Sequence, residues 1–374
     1  MGGCISRLSA RRETSQDDGQ TQEADFAVQL DSVRSASPRS IDEPEHAAGP
    51  SREADLGTTS QPIRPARIDE KLQLLEQTLE RASEEGVSSG LVDYGQQVAR
   101  NLAANIQTDE KLLSLDVDNI DRLADSYNER YPDLNLRYMG SPANFLEALT
   151  DRSSTGGWRA IVRLADGEAH HFAADIRTRA GAAPTVIVME PADLYTFIAP
   201  YSRLRGETLQ QLGPEPKWAF IGVGVQKSAS DCVMFSMQCA LAARQNSSTF
   251  DDWHNNLRRH GTIADERDIS SDYMASPDAI LEFAQINLFH GEKVLPALFY
   301  KHAHSTRVIE EAAGNRAGFR DEDVSTSSRA PKTESLAERR EAFAVQRGTL
   351  KYSASIETSR ATKIRRALDG MLSD

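Results

Sequence analysis

This 374-residue chain is poor in cysteine, in long apolar runs and in positive charge, and each shortage excludes something. Three cysteines, Cys4, Cys232 and Cys239, cannot build the disulfide framework of a small secreted scaffold, so a reducing site of action is expected. No apolar run approaches the roughly 20 residues that span a bilayer, and the start lacks the apolar core of a cleavable signal peptide. Lys and Arg number 43 against 56 Asp and Glu, a net charge of −13. That balance argues against a general nucleic-acid binder, which needs a basic surface to neutralise phosphates, but it leaves room for a local basic pocket. His302, His304 and Cys239 lack the spacing of a structural zinc site, and no metal is expected. A hydrophobic content of 39% is enough for a substantial core.

The first residues carry a signal of a different kind. Met1-Gly2-Gly3-Cys4-Ile5-Ser6 fits the pattern in which Gly2 accepts myristate, with Cys4 placed for a palmitate. One myristoyl chain holds a membrane only marginally, so the adjacent cysteine strengthens the reading. From Ser6 to Arg67 the chain is polar, Ser/Arg/Pro-rich and without period, which predicts disorder. Helices are predicted from Leu72, Leu75, Leu79 and Ala82, from Leu91 to Ile106, and from Ile120 to Tyr131, where Pro132 stops the last.

Beyond Gly140 the period falls to two. Trp158, Ala160, Val162 and Leu164 read as a half-buried strand, Asp166-Gly167 as a tight turn and His171 to Ile176 as the return strand. Further strands are predicted at Thr185–Met189 and Ala219–Val225, the second leading to a helix over Cys232–Arg244. A helix near Pro277–Ala284, an apolar segment Val294–Tyr300, a mobile polar loop over about 312–332 and helices near Glu334–Arg347 and Ile356–Leu372 complete the chain. The expected class is α+β, a mostly antiparallel sheet with helices around it.

Within this frame one group of residues names a chemistry. Cys232 opens an apolar helix, where the macrodipole and free amide N–H groups favour a thiolate. His171 begins one strand and Glu190 ends the next, so adjacent antiparallel strands could set imidazole beside carboxylate and fix the base's tautomer. His170 is the alternative base. Gln226 offers an amide N–H to the oxygen of a tetrahedral intermediate, beside the backbone N–H of Cys232. Each residue also has a structural reading: a buried small hydrophobe, a strand histidine, a strand-end acid.

His171-Phe172, Glu190-Pro191 and Gln226-Lys227-Ser228-Ala229-Ser230-Asp231-Cys232 together resemble the catalytic segments of the YopJ-type effectors, acetyltransferases secreted by the bacterial type III system. The resemblance extends to Phe299-Tyr300-Lys301-His302 and Glu338–Phe343, and the acylation-type start is similar to the plant-pathogen XopJ/HopZ-like branch. It implies a core like that of the clan CE ubiquitin-like-protein cysteine proteases, with a helical regulatory domain. Residues 1–67 would be a secretion and acylation segment, 68–270 the catalytic core and 271–374 the regulatory segment, packing with the N-terminal helices. The implied reaction moves acetyl from acetyl-CoA to Cys232 and on to Lys, Ser or Thr of host proteins, suppressing host immunity. Its implied setting is the host plasma membrane, with Gly2 and Cys4 as lipid anchors. The family's activator is inositol hexakisphosphate, for which Lys301, His302, Arg307, Lys351 and Arg365, with Lys363 and Arg366, are candidates; Lys301 matches the autoacetylated lysine. A protease of the same fold is the alternative. The chain departs from the pattern at Val233, where glycine usually follows the cysteine.

Overall fold

The computed structural model describes residues 64–87, 90–151, 155–213, 216–263, 287–314, 316–326 and 333–372. The expected disordered segment up to residue 63, with Gly2 and Cys4, and the predicted helix at 277–284 lie outside the described residues. Order opens with three helices, α1 (Ala66–Glu84), α2 (Gly90–Ala103) and α3 (Glu110–Arg130). Leu72, Leu75, Leu79, Leu91, Val98, Leu102, Ile120 and Leu123 are buried along them, as their 3.6-residue recurrence requires. Asp109 caps α3 by accepting the N–H of Leu112 at 2.8 Å, ten residues before the predicted start.

The sheet follows as β1 (Leu136–Met139), β2 (Gly156–Arg163), β3 (His171–Arg179), β4 (Ala182–Glu190), β5 (Lys217–Gly222) and β6 (Leu288–His290), in that spatial order. Helix α4 (Pro142–Thr150) lies between β1 and β2, and α5 (Ile198–Leu212) between β4 and β5. The expected antiparallel pairing holds for β2–β3 and β3–β4, but β1–β2, β4–β5 and β5–β6 are parallel, so the sheet is mixed. The reason is connection length: only β2, β3 and β4 are joined closely enough to fold back as hairpins, while the others are linked by crossovers. The β2–β3 connection itself is longer than the tight turn expected at Asp166-Gly167, leaving residues 164–170 outside the strands.

Both faces of the sheet are covered, so β2 is buried on both sides rather than half-buried. Trp158, Phe172, Ala174, Val188 and Phe220 pack with Phe145 and Leu149 of α4 and Tyr201 and Leu204 of α5. The alternate residues Ile161, Ala173, Ile187 and Met189 face the other way, into a core shared with α6 (Cys232–Gln245) and α7 (Ser247–His260). Period-two alternation thus assigns the buried apolar residues of β3 and β4 to one core or the other.

A single turn, α8 (Gly291–Val294), leads into α9 (Thr306–Ala313). Within the segment expected as a loop, Phe319 and Val324 are fully buried and Asp323 bridges Ser335, so this stretch is packed where it is described. The predicted helix over Glu334–Arg347 is shorter, α10 (Leu336–Ala342); Ala344–Arg347 is instead strand β7, paired antiparallel with β8 (Leu350–Ser353). Gly348, at φ +59°, makes the turn that a helix could not. The last helix, α11 (Ser355–Met371), returns to pack on α1, α2, α3 and α6.

Candidate active site

Parity in the strands settles which side chains meet. In the β3–β4 register Ala173 opposes Met189 and Ala174 opposes Val188, so Phe172 shares the face of Glu190 while His171 faces α6. The expected pairing of His171 with Glu190 is therefore not formed. Glu190 is held on the α5 side: its Oε2 lies 2.8 Å from Nε2 of His170 and accepts the Tyr201 hydroxyl at 2.6 Å, and its Oε1 accepts the Ala192 N–H at 2.7 Å. His170 stacks flat on Phe197, ring centroids 3.7 Å apart. A carboxylate can only accept, so Nε2 of His170 carries the proton and Nδ1 keeps its lone pair.

His171 has the opposite tautomer. Its Nδ1 is 2.8 Å from the carbonyl of Ala169, which must accept, and its Nε2 is 3.3 Å from the Tyr138 hydroxyl. The same Nδ1 lies 3.8 Å from Sγ of Cys232, and the thiol donates to Ala169 O at 3.4 Å. With a proton already on Nδ1, His171 faces the sulfur as a donor and not as a base. Burial lowers its pKa to about 4, so the ring is neutral.

Cys232 begins α6 as expected and is buried. Burial pushes its thiol up to about 12, opposed by the backbone N–H groups of His171 and Val233, which favour the thiolate. Val233 sits fully inside the core, which is the room the departure from glycine occupies. The Gln226 amide donates to Ser228 O at 2.6 Å while its Oε1 is buried without a partner, so the expected oxyanion donor is turned onto its own loop. That loop is fixed elsewhere by Gln226 N–H to Pro191 O at 2.8 Å and Lys227 N–H to Nδ1 of His304 at 3.0 Å. Asp231 precedes the nucleophile but does not cap α6; its carboxylate accepts from Arg360 at 2.6 Å and from the Ser228 hydroxyl.

A second group of titratable side chains lies where α10 and α11 meet the 300–302 turn. Lys301, His302 and Lys363 are buried together, with Arg339 half-buried beside them and paired with Glu334. Burial, with Arg339, Lys363 and Arg366 nearby, lowers Lys301 to about 6; burial with Arg366, Arg360 and Arg339 lowers Lys363 to about 7. His302 is pushed well down by burial and by the same cations, and Arg339 falls to about 9 by burial and Arg67. Lys301 donates to the Thr326 hydroxyl at 2.9 Å and Lys363 to the Ser359 hydroxyl at 2.6 Å, both neutral partners. So dense a set of desolvated cations fits a ligand of many negative charges.

Three expected members fall outside this group. Arg307 is on the surface, paired with Glu311; Lys351 pairs with Glu341; Arg365 pairs with Asp369 along α11. Each is matched by a nearby carboxylate, exposed at Glu311 and Glu341 and half-buried at Asp369, which Arg81 shares. Arg339 and Arg67, which the spacing of basic residues did not single out, take part instead. His302 meets Ser355 and His304 meets Lys227, so neither joins Cys239.

Residues 91–366 match the family described as YopJ Serine/Threonine acetyltransferase. The chain is 63% identical over 224 residues to the serine/threonine-protein acetyltransferase NGR_a02610 of Sinorhizobium fredii (strain NBRC 101917 / NGR234), covering 60% of this chain and 86% of the relative. It is 30% identical over 302 residues to the serine/threonine-protein acetyltransferase HopZ1a of Pseudomonas syringae pv. syringae, 74% of this chain and 80% of that one. The fold is similar to the crystal structure of HopZ1a in complex with IP6 and CoA, with a TM-score of 0.70 at 26% identity over 83% of this chain and 99% of the other. A structure of AvrA with IP6 and CoA shares the fold, with a TM-score of 0.57 at 20% identity over 80% of this chain and 98% of that one.

Proposed function

Since the chain belongs to the YopJ serine/threonine acetyltransferase family, we propose that it transfers acetyl from acetyl-CoA to Ser, Thr or Lys of host proteins through an acetyl-Cys232 intermediate. The observation that carries the reading is Cys232 at the start of α6, 3.8 Å from His171, whose chain neighbour His170 is held by a buried glutamate. HopZ1a binds CoA and IP6, which supports the same two molecules as substrate and activator here.

His170 replaces His171, the first expectation, as base: Glu190 fixes its tautomer so that the lone pair stays on Nδ1, which would take the thiol proton. His171 supports the sulfur through its backbone N–H and its Nδ1–H. The thiolate attacks the thioester carbonyl, the oxyanion is met by backbone N–H groups at the start of α6, and CoA leaves as a thiol with the proton from His170. The acceptor then gives its proton to His170 as it attacks the acetyl-cysteine, and the free thiol returns. A thioester is exchanged for a thioester in the first half, so little driving force is needed.

Residues 68–270 serve as catalytic core and 271–374 as regulatory segment. Lys301, His302, Arg339, Lys363 and Arg366 would hold inositol hexakisphosphate, whose charge would offset theirs. Lys301 is the proposed autoacetylation site; in the ligand-free protein its amine is neutral at physiological pH and a competent nucleophile. The purified protein given labelled acetyl-CoA and inositol hexakisphosphate should become labelled, on Lys301 or on an added substrate. Absence of label together with Cys232-dependent peptide cleavage would replace this reading with the protease one.

Met1–Ser6 fits the acylation pattern, and myristate on Gly2 with palmitate on Cys4 would hold the enzyme at the host plasma membrane after type III secretion. Gly2→Ala is expected to shift the protein from host membrane to soluble fractions. An unchanged distribution on fractionation would refute the tether.

A further inference from the structure

Arg360 is completely buried, and its partners come from two distant parts of the chain. Its Nε and Nη2 donate to the two carboxylate oxygens of Asp116 on α3, each at 2.8 Å, the forked geometry that guanidinium and carboxylate share. Nη1 donates to the Thr108 hydroxyl at 3.0 Å. The fork alone would anchor α11 to α3. Beyond it, Nη2 also donates to Oδ1 of Asp231 at 2.6 Å, and Asp231 is the residue before the nucleophile. The other oxygen of Asp231 takes the Ser228 hydroxyl and lies 3.7 Å from Nε2 of His304, whose Nδ1 in turn accepts from Lys227. Asp231 is thereby kept from capping α6, although it stands at the cap position.

The geometry points to Arg360 as a positioning residue for the nucleophile: from the last helix it fixes Asp231, and through Asp231 the loop 226–231 and the helix start that carries Cys232. The inference rests on the acetyl-transfer reading of the site. Removing Arg360 leaves two buried carboxylates, Asp116 and Asp231, without their common cation, and the loop is free to swing toward water. A lysine keeps the charge but, as a point donor, cannot hold a fork and a third oxygen together.

The test compares Arg360→Lys with Asp116→Asn in the full-length protein. Asp116→Asn loosens the anchor on α3 but leaves the Arg360–Asp231 bond. Arg360→Lys is expected to lower kcat at least about tenfold with KM for acetyl-CoA within about twofold, whereas Asp116→Asn, at a similar loss of Tm, should keep kcat within about threefold. Equal losses of kcat in the two variants, tracking Tm, would make Arg360 merely structural and overturn the inference. If Arg360→Lys does not fold, Asp231→Ala removes the same bond from its other end and should show the same fall in kcat; a full-rate Asp231→Ala enzyme overturns it equally.

Should the wild type transfer no acetyl group, the proposed function fails but the positioning is still read by iodoacetamide labelling followed by peptide mass spectrometry. Arg360→Lys is expected to speed alkylation of Cys232 about tenfold, because the freed loop uncovers the sulfur, with Cys239 in the same helix unchanged. An unchanged Cys232 rate, or equal acceleration of both cysteines, would overturn the inference.

Discussion

His170→Asn is expected to lower acetyl transfer by about 10^3-fold, while the same change at His171 lowers it about tenfold or less. The difference follows from where the protons sit. Nε2–H of His170 is committed to Glu190, so Nδ1 is available to accept; Nδ1–H of His171 is committed to the carbonyl of Ala169, so the atom nearest the sulfur has no lone pair to offer. Glu190→Gln should follow His170, since an amide can present its NH2 to Nε2 and favour the wrong tautomer. Steady-state transfer with labelled acetyl-CoA checks the ordering, and thermal melts check that each variant folds. A loss at His171 that equals or exceeds that at His170 would return the base to His171 and require its ring to turn away from Ala169 before reaction.

The second large effect concerns the buried cations. Without a polyanion, Lys301 and Lys363 have pKa values of about 6 and 7 in the folded chain, against 10.5 when solvated. Between about pH 7 and 10 the unfolded chain therefore binds protons that the folded chain does not, and the ligand-free protein should become more stable as pH rises across that window. Below about pH 6 both states hold these protons and this contribution to the pH dependence vanishes. Inositol hexakisphosphate favours the charged lysines, so its binding takes up protons near neutrality and should flatten the slope. At a hundred times its Kd it should add about 2.7 kcal/mol of stability. Lys363→Met is expected to raise Tm without ligand, by removing a desolvated amine, and to cut the ligand-induced shift by more than half. Melts at several pH values, with and without ligand, decide this; a ligand-free stability that falls between pH 7 and 10 would show that these lysines remain charged.

Where periodicity was strong, sequence and structure agree. The buried leucines of α1 and α2, the strands at 156–163, 171–179 and 182–190, and the helix opening at Cys232 all follow from patterns that a single chain displays. Other elements had weaker signals. Ala344–Arg347 carries residues of good helical propensity, and only its pairing with Leu350–Ser353 makes it a strand. Parallel neighbours could not be deduced from the spacing of strands, since crossovers of any length look alike in sequence.

The catalytic set was legible as residue types but not as pairs. Assigning the acid to His170 needed only the register of β3 on β4, because strand parity puts His171 and Glu190 on opposite faces. In the cation cluster, Lys301 and His302 were legible, whereas Arg307, Lys351 and Arg365 were candidates by charge alone and prove to be matched by nearby carboxylates. Nothing local distinguishes Arg360 from Arg365 and Arg366, half-buried on the same helix; its partners at 116 and 231 appear only when the chain has closed on itself.

That closure bears on the order in which the protein becomes active. The bonds from Arg360 to Asp116 and Asp231 join residues 244 and 129 positions apart, so they can form only after the final helix has docked. Long loops of this kind close late in folding, after local helices and hairpins. A chain still threading a narrow channel, or one ending before Ser355, would contain every residue of the reaction and yet hold its cysteine loop unfastened. Activity is in this sense gated by completion of the fold, and the last helix acts as the clasp.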